Sequence, residues 1–329
     1  VVVATRPAPI GETRHRLIGD NVVDSKESTA TAIGAVTVKR HNAMAAIRFD
    51  TSDPDIFLDI VTNVDWPPEN SNRPSVGVYI NGAYHDKATC TAGATLQTFR
   101  VALPAGQKTV EVWEGSQHKE GGVVHGTYVY AVRARGHFSP VSPSRRLAVF
   151  GDSIVVGDEG TIGIKDGWLP LCRTTYPGRI SVEAWGSRDL NGETVTTLAQ
   201  RLVDLVAGAT TREIWLAIGV VDYANSTMTA AAFETKYGQL LDEIRGRDTG
   251  VTIYCASPIV KTSEVANAHG NTLGDYRTAV SNATSGRSYA TFVNGATIMT
   301  TGELAADGIH PNDTGHGLYR DRVRSVLNF

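Results

Sequence analysis

Cysteine, clustered basic charge and long apolar runs are all scarce in this chain, and each scarcity removes a class of answer. The three cysteines, Cys90, Cys172 and Cys255, lie far apart with no C-x-x-C pair, which argues against a zinc site or a disulfide framework. Cys172 and Cys255 sit in apolar stretches and read as core residues. Lys and Arg number 31 against 34 Asp and Glu, a formal charge of -3. No basic cluster offers nucleic acid or an anionic membrane a surface. No apolar run approaches the roughly 20 residues that cross a bilayer, so no membrane span is expected. The chain opens Val1-Val2-Val3-Ala4 with neither methionine nor a charged-then-apolar leader. That start is expected of a chain behind a removed signal peptide or of a segment of a longer protein, and the compartment is not legible from it.

What is present divides into two halves, and 329 residues suffice for two cores at about 100 to 200 residues per domain. Residues 35–39, 46–49, 56–60, 75–80, 98–101, 108–113 and 127–133 are short, β-branched or aromatic, and often alternate apolar with polar, as half-buried strands do. Asn81-Gly82 and Pro104-Ala105-Gly106 punctuate them as turns. Seven or eight antiparallel strands in the first 140 residues imply an all-β sandwich of the jelly-roll type. Ser139-Pro140-Val141-Ser142-Pro143-Ser144 is a stiff, extended connector, which sets the expected domains at 1–140 and 141–329.

Beyond it the period changes. Strands are expected at 147–150, 180–184, 213–218, 251–256 and 291–294, with helices around 167–175, 194–206, 230–247, 271–283 and 313–327. Leu198, Leu202, Leu205 and Val206 follow helical spacing, as do Phe233, Tyr237, Leu240, Leu241 and Ile244. Strands alternating with helices argue for a parallel sheet covered on both faces, and right-handed crossovers put every carboxyl end on one edge.

Gly151-Asp152-Ser153-Ile154 follows the apolar run 147–150 and so places a serine at that edge, where such sheets carry their chemistry. Near the C-terminus Asp307-Gly308-Ile309-His310-Pro311 supplies a histidine three residues after an aspartate. Nucleophile, base and orienting carboxylate are all present, in the chain order Ser, Asp, His. Taken singly, each motif has a plainer reading as a polar turn. Asp152 reads as a turn-bracing carboxylate, and so does Asp222. His310 and His316 are six apart, which is not a one-face helical spacing for a metal pair. His85, His118, His125 and His137 read as solvated or packing residues, and Trp66, Tyr84 and Trp113 as packing residues ahead of a sugar-binding surface.

From about Arg146 to Phe329 the chain resembles the SGNH hydrolases, the GDSL esterase and lipase family. Gly151-Asp152-Ser153 matches the first family block and Asp307-Gly308-Ile309-His310 the last. The resemblance implies a flavodoxin-like three-layer α/β/α fold, with Ser153 as nucleophile, His310 as base and Asp307 as its partner, and no metal or cofactor. It also implies an oxyanion hole from the backbone N–H groups of Ser153 and a glycine after the second strand. Gly186 fits that glycine, with Gly192 as the alternative further from the strand. The third block, Gly-x-Asn-Asp in the family, reads Gly219-Val220-Val221-Asp222 here. Val221 occupies the position of the asparagine whose amide is the third oxyanion donor, and Asn225 is the nearby amide that could replace it.

A β domain ahead of such a hydrolase is similar in architecture to two-domain carbohydrate esterases. The implied activity is a serine esterase acting on short acyl esters, O-acetyl on a carbohydrate foremost. The partner is then an acylated small molecule or polysaccharide, and a polysaccharide implies a secreted or cell-surface location. Two alternatives stand beside this one: a general short-chain carboxylesterase, thioesterase or lipase, and a degenerate domain that serves as a glycan-binding or structural module. If the hole is one donor short, Val221→Asn should raise kcat, by up to the ~2.7 to 4 kcal/mol that one donor is worth. If Asn225 fills the gap, Asn225→Ala should lower kcat, and steady-state kinetics on the two variants decides between these outcomes.

Overall fold

In the parallel sheet of the C-terminal half, five strand ends fall into one row. The strands are β1 (Arg145–Gly151), β2 (Arg179–Ala184), β3 (Thr211–Ala217), β4 (Thr252–Ala256) and β5 (Ala290–Val293). Their order is β2-β1-β3-β4-β5, the flavodoxin-like order. Ala184 pairs with Gly151, Gly151 with Ala217, Ala217 with Ala256 and Ala256 with Val293. This computed structural model describes residues 15–17, 31–33, 36–38, 46–62, 75–89, 97–114, 118–120, 123–125, 127–134, 139–140, 144–157, 167–173, 175–184 and 186–329. Trp66, Cys90 and residues 158–165 lie outside them.

The helices are α1 (Ser153–Val156), α2 (Trp168–Arg173), α3 (Val195–Val206), α4 (Val220–Ala224), α5 (Ala230–Arg247), α6 (Leu273–Thr284) and α7 (Asp313–Leu327). Alternation along each strand assigns them to layers. Ala148, Phe150, Ile214, Leu216, Ile253 and Cys255 face one way, into a core with Leu198 and Leu202 of α3, Phe233 and Leu240 of α5, and Tyr276 and Val280 of α6. Trp215 faces the other way, with its ring 6.4 Å from Trp168 of α2 and 6.3 Å from Tyr319 of α7. Helices therefore cover both faces, as a parallel sheet requires. Cys172 and Cys255 are buried and unbridged. The sequence reading located five of the helices and overlooked α1 and α4, whose four and five residues are too short to show a period.

The chain divides into two compact units, Val1–Ser142 and Pro143–Phe329. Among the described residues of the first, two larger antiparallel sheets are accompanied by two two-stranded ones, Thr31–Ile33 with Val36–Val38 and His118–Glu120 with Val123–His125. One of the larger sheets runs His15–Leu17, Thr127–Ala134, Asp55–Thr62, Gln97–Ala102; the other runs Ser139–Pro140, Ala46–Thr51, Lys108–Glu114, Ser75–Ile80, Ala83–Thr89. Ile56, Leu58 and Val101 of the first meet Phe49, Val78 and Val112 of the second in one apolar cluster. Asn81 and Gly82 both adopt positive φ, 50° and 83°, as a two-residue hairpin turn demands. The returning strand Ala83–Thr89 is largely polar, and the sequence reading missed it for that reason. Trp113 is buried, 6.3 Å from Tyr79, which makes it a packing residue.

One buried polar cluster has no sequence signature. Arg188, past β2, donates to Glu183 (3.0 Å) and Glu193 (2.8 Å). Arg201 of α3 stands 3.3 Å from Glu183 and 3.0 Å from Glu193, and the Arg188 guanidinium lies over the Phe150 ring at 4.4 Å. Burial works against the Glu193 carboxylate, but the two guanidinium groups outweigh it and hold it below the usual range. Removing one partner from such a cluster leaves a buried charge uncompensated. Arg188→Met should therefore lower the stability of this unit by about 3–5 kcal/mol. Arg247→Met breaks the half-exposed pair with Glu243 and should cost about 0.3–0.5 kcal/mol. Denaturant titration of both variants is the check, and similar losses would contradict this ranking.

Candidate active site

Gly151 ends β1 where a side chain has no room. A Cβ there would stand 2.2 Å from Val155 Cγ2 and 2.6 Å from the Ala217 carbonyl, so only glycine lets the strand turn directly into α1. Asp152 caps that helix, its Oδ1 accepting the Ile154 N–H at 3.0 Å. Ser153 is the first residue of the helix, two positions past the row of strand ends, and retains 9% exposure.

His310, the candidate base, arrives on the loop between β5 and α7. Asp307 Oδ1 accepts the backbone N–H groups of Ile309 (2.9 Å) and His310 (3.1 Å), which curls the turn back on itself. Its Oδ2 lies 2.5 Å from His310 Nδ1, and His310 Nε2 lies 2.7 Å from Ser153 Oγ. Burial works against the Asp307 carboxylate, yet the two N–H groups and the imidazole hold it below the ordinary carboxylate range. An ionised Asp307 accepts, so Nδ1 carries the proton and the Nε2 lone pair faces the serine hydroxyl. The structure thus brings Ser153, His310 and Asp307 into one hydrogen-bonded chain.

Thr262, which sequence reasoning had no signal to find, fixes this turn from outside. Its N–H donates to the Gly308 carbonyl at 3.0 Å. Gly308 has φ +68°, and a Cβ on it would meet Thr262 Oγ1 at 2.1 Å.

The candidate oxyanion donors are placed less evenly. Gly186 is buried, two residues past Ala184. Gly192 is exposed, and its N–H is engaged by Asp189 Oδ1 at 2.6 Å. Val221 lies in the first turn of α4, which begins at the same edge behind Gly219 (φ 123°). Asn225 is the exposed C-cap of α4, four residues on and so about 6 Å further along the axis than Val221.

Between these two rims stands Asp222, fully buried. It accepts the N–H groups of Leu190 (3.0 Å) and Asn191 (3.1 Å) and the Thr227 hydroxyl (3.3 Å). Burial pushes its carboxyl up to about 6 against the opposing pull of those hydrogen bonds. Asp222 does brace a loop, and the loop is the one that carries Gly186 and Gly192. Among the described residues no group of three or more His, Cys, Asp or Glu could hold a metal ion, and no helix is long and apolar enough to cross a membrane.

The GDSL-like lipase/acylhydrolase family matches residues 149–318. No curated protein matches the chain. Among solved structures it is similar to the salicylyl-acyltransferase SsfX3 from a tetracycline biosynthetic pathway, with TM-score 0.67 and 18% identity over 86% of this chain and 81% of that one. It is also similar to a family two carbohydrate esterase from Clostridium thermocellum in complex with cellohexaose (TM-score 0.61, 16% identity, 87% and 92% covered). A third is the acetyl xylan esterase Est2A from the rumen bacterium Butyrivibrio proteoclasticus (TM-score 0.62, 13% identity, 96% and 99% covered). At these identities the likeness is one of fold.

The hydrogen-bonded chain predicts selective reactivity. Phenylmethanesulfonyl fluoride should label Ser153, and His310→Ala should slow labelling by about 10²–10⁴-fold, the usual share of a general base. Gly308→Ala should slow it as well, through the clash with Thr262, and adding Thr262→Ala should restore part of the rate. Mass spectrometry of the modified chain reads all three, and labelling indifferent to His310 would count against the arrangement.

Proposed function

We infer that this protein, which belongs to the GDSL-like lipase/acylhydrolase family, is a serine esterase that hydrolyses short acyl esters, with O-acetyl groups on a carbohydrate as its substrate class. The observation that carries the esterase reading is the path from Asp307 Oδ2 through the imidazole of His310 to Ser153 Oγ. Ser153 Oγ attacks the ester carbonyl while His310 Nε2 takes its proton, and the ionised Asp307 stabilises the imidazolium and holds its tautomer. His310 then returns the proton to the leaving alcohol. Water, deprotonated by the same nitrogen, hydrolyses the acyl-enzyme.

The oxyanion would be met by the backbone N–H groups of Ser153 and Gly186. Gly186 is preferred because the N–H groups of Leu190, Asn191 and Gly192 are all turned to carboxylates. Asn225 is the side chain proposed for the third position, where Val221 offers no donor. The first unit we read as a jelly-roll-like sandwich, with the division from the catalytic domain near residue 140. The carbohydrate part of the reading is supported by the two carbohydrate-active esterases named above, whose likeness extends over both units. The esterase is favoured over a general lipase by the same argument, and over a degenerate binding module by the intact hydrogen-bonded chain.

The test is hydrolysis of p-nitrophenyl esters by the chain and by Ser153→Ala. Acetate should turn over, and the variant should lose about 10⁴-fold or more. A sharp fall in rate from acetate to butyrate and octanoate, with acetate released from acetylated xylan, is the expected profile. A flat profile would move the assignment to a general carboxylesterase. Glycan binding with no turnover would replace it with a binding module.

A further inference from the structure

We propose that Asp222 is a positioning residue, a carboxylate clasp that fixes the loop carrying Gly186 against α4 and so sets the width of the oxyanion site. The inference rests on the esterase reading above and concerns how that site is held in shape. Asp222 is the residue after Val221, on the helix that leaves β3 at the rim. Its two oxygens reach across to the N–H groups of Leu190 and Asn191, on the loop that leaves β2 at the same rim. The far side of the carboxylate is closed by Thr227, whose hydroxyl donates to Oδ1 and whose N–H donates to the Asp222 carbonyl at 3.1 Å. At its start the same loop is anchored through Arg188 to Glu183 and Glu193. One side chain therefore joins the two segments that flank the reacting carbonyl.

A neutral brace would hold a loop without burying a charge. Burial raises the Asp222 carboxyl to about 6, which means that at neutral pH the ion is held at a net cost in stability. Asp189, on the loop, adds to that rise. Tyr276 of α6 is a titratable group that feels the Asp222 charge, and Lys236 of α5 donates to the Asn191 carbonyl at 2.7 Å. Only the ionised form accepts at both oxygens, so protonation weakens the clasp while relieving the burial of charge. Stability and turnover should then respond to acid in opposite directions.

For stability the sign follows from a folded-state value above the ordinary one of 3.8. The folded chain holds this proton more tightly, so wild type should gain melting temperature relative to Asp222→Asn as pH falls from 7 through 6 toward 4. For turnover of p-nitrophenyl acetate, Asp222→Asn should lower kcat about ten- to a hundredfold, less than deleting a donor outright, with KM within about threefold. Its acid limb should be shallower than that of wild type by one proton. Thr227→Val removes a bond that favours the ion, and should move the acid limb of kcat to higher pH even if Asp222→Asn does not fold. A kcat within twofold of wild type, or an acid limb unmoved by either variant, overturns the proposal. Should wild type show no turnover that depends on Ser153, the esterase reading falls and the clasp is decided separately by amide hydrogen exchange. Protection at Leu190 and Asn191 that is lost in Asp222→Asn supports the clasp, and equal protection in the two chains overturns it.

Discussion

The parallel register that aligns Ala184, Gly151, Ala217 and Ala256 with Val293 is the constraint on which the site depends. A one-residue slip in any pair would turn that strand's side chains to the opposite face, moving Phe150 or Trp215 out of its layer and shifting the loop beyond it. With the register fixed, the loops after β1, β2 and β3 leave the sheet side by side. Serine, glycine and Asp222 then converge although they are tens of residues apart in sequence. His310 needs a different solution, because its loop is long. Asp307, Thr262 and the bridge between Leu304 and Pro311 supply it by fastening that loop to itself and to its neighbour.

Three aspartates at this edge share a chemistry and differ in environment. Asp152 caps a helix and shapes the nucleophile turn. Asp307 is stabilised as an ion by N–H groups and an imidazole, which suits its proposed place facing an imidazolium. Asp222 is destabilised as an ion by burial, which suits a group whose value is geometric. Environment, not residue type, separates the roles. The Arg188 cluster belongs to the same logic, since charges buried behind the loop leave it few ways to relax.

Much of this was legible in the sequence because parallel sheets impose a strong pattern. Their strands are buried on both faces and read as apolar runs, and their helices carry a wide apolar stripe. The predicted bounds of α5 and α7 coincide with those observed. Motif chemistry was legible for the same reason: Gly151 and Gly308 stand where no other residue fits. What escaped was either short or tertiary. α1 and α4 are single turns, and Ala83–Thr89 is a polar edge strand that its hairpin partner specifies. Arg188, Glu193 and Arg201 look like surface residues until the fold buries them together, and Thr262 gains its role only from a glycine 46 residues away.

Val221 departs from the third block of the SGNH pattern that the sequence resembles, and magnitudes decide what it means. An oxyanion donor is worth about 10²–10³ in kcat, whereas enzymes accelerate their reactions by roughly 10⁶-fold or more. Losing one donor therefore slows such a site without changing its reaction class, provided the nucleophile and base are engaged; Ser153 and His310, proposed for those roles, are hydrogen-bonded at 2.7 Å. Asn225 stands a helical turn from the position that Val221 holds, so direct replacement would require α4 to unwind at its end. The short helix ends there in any case, at an exposed cap, where the cost of unwinding is smallest. On the proposed reading most of the load falls on the backbone N–H groups of Ser153 and Gly186, and a site that relies on backbone N–H groups depends on the loops that aim them. In the clasp proposed for Asp222, that dependence is what a buried carboxylate which costs stability serves beside Val221.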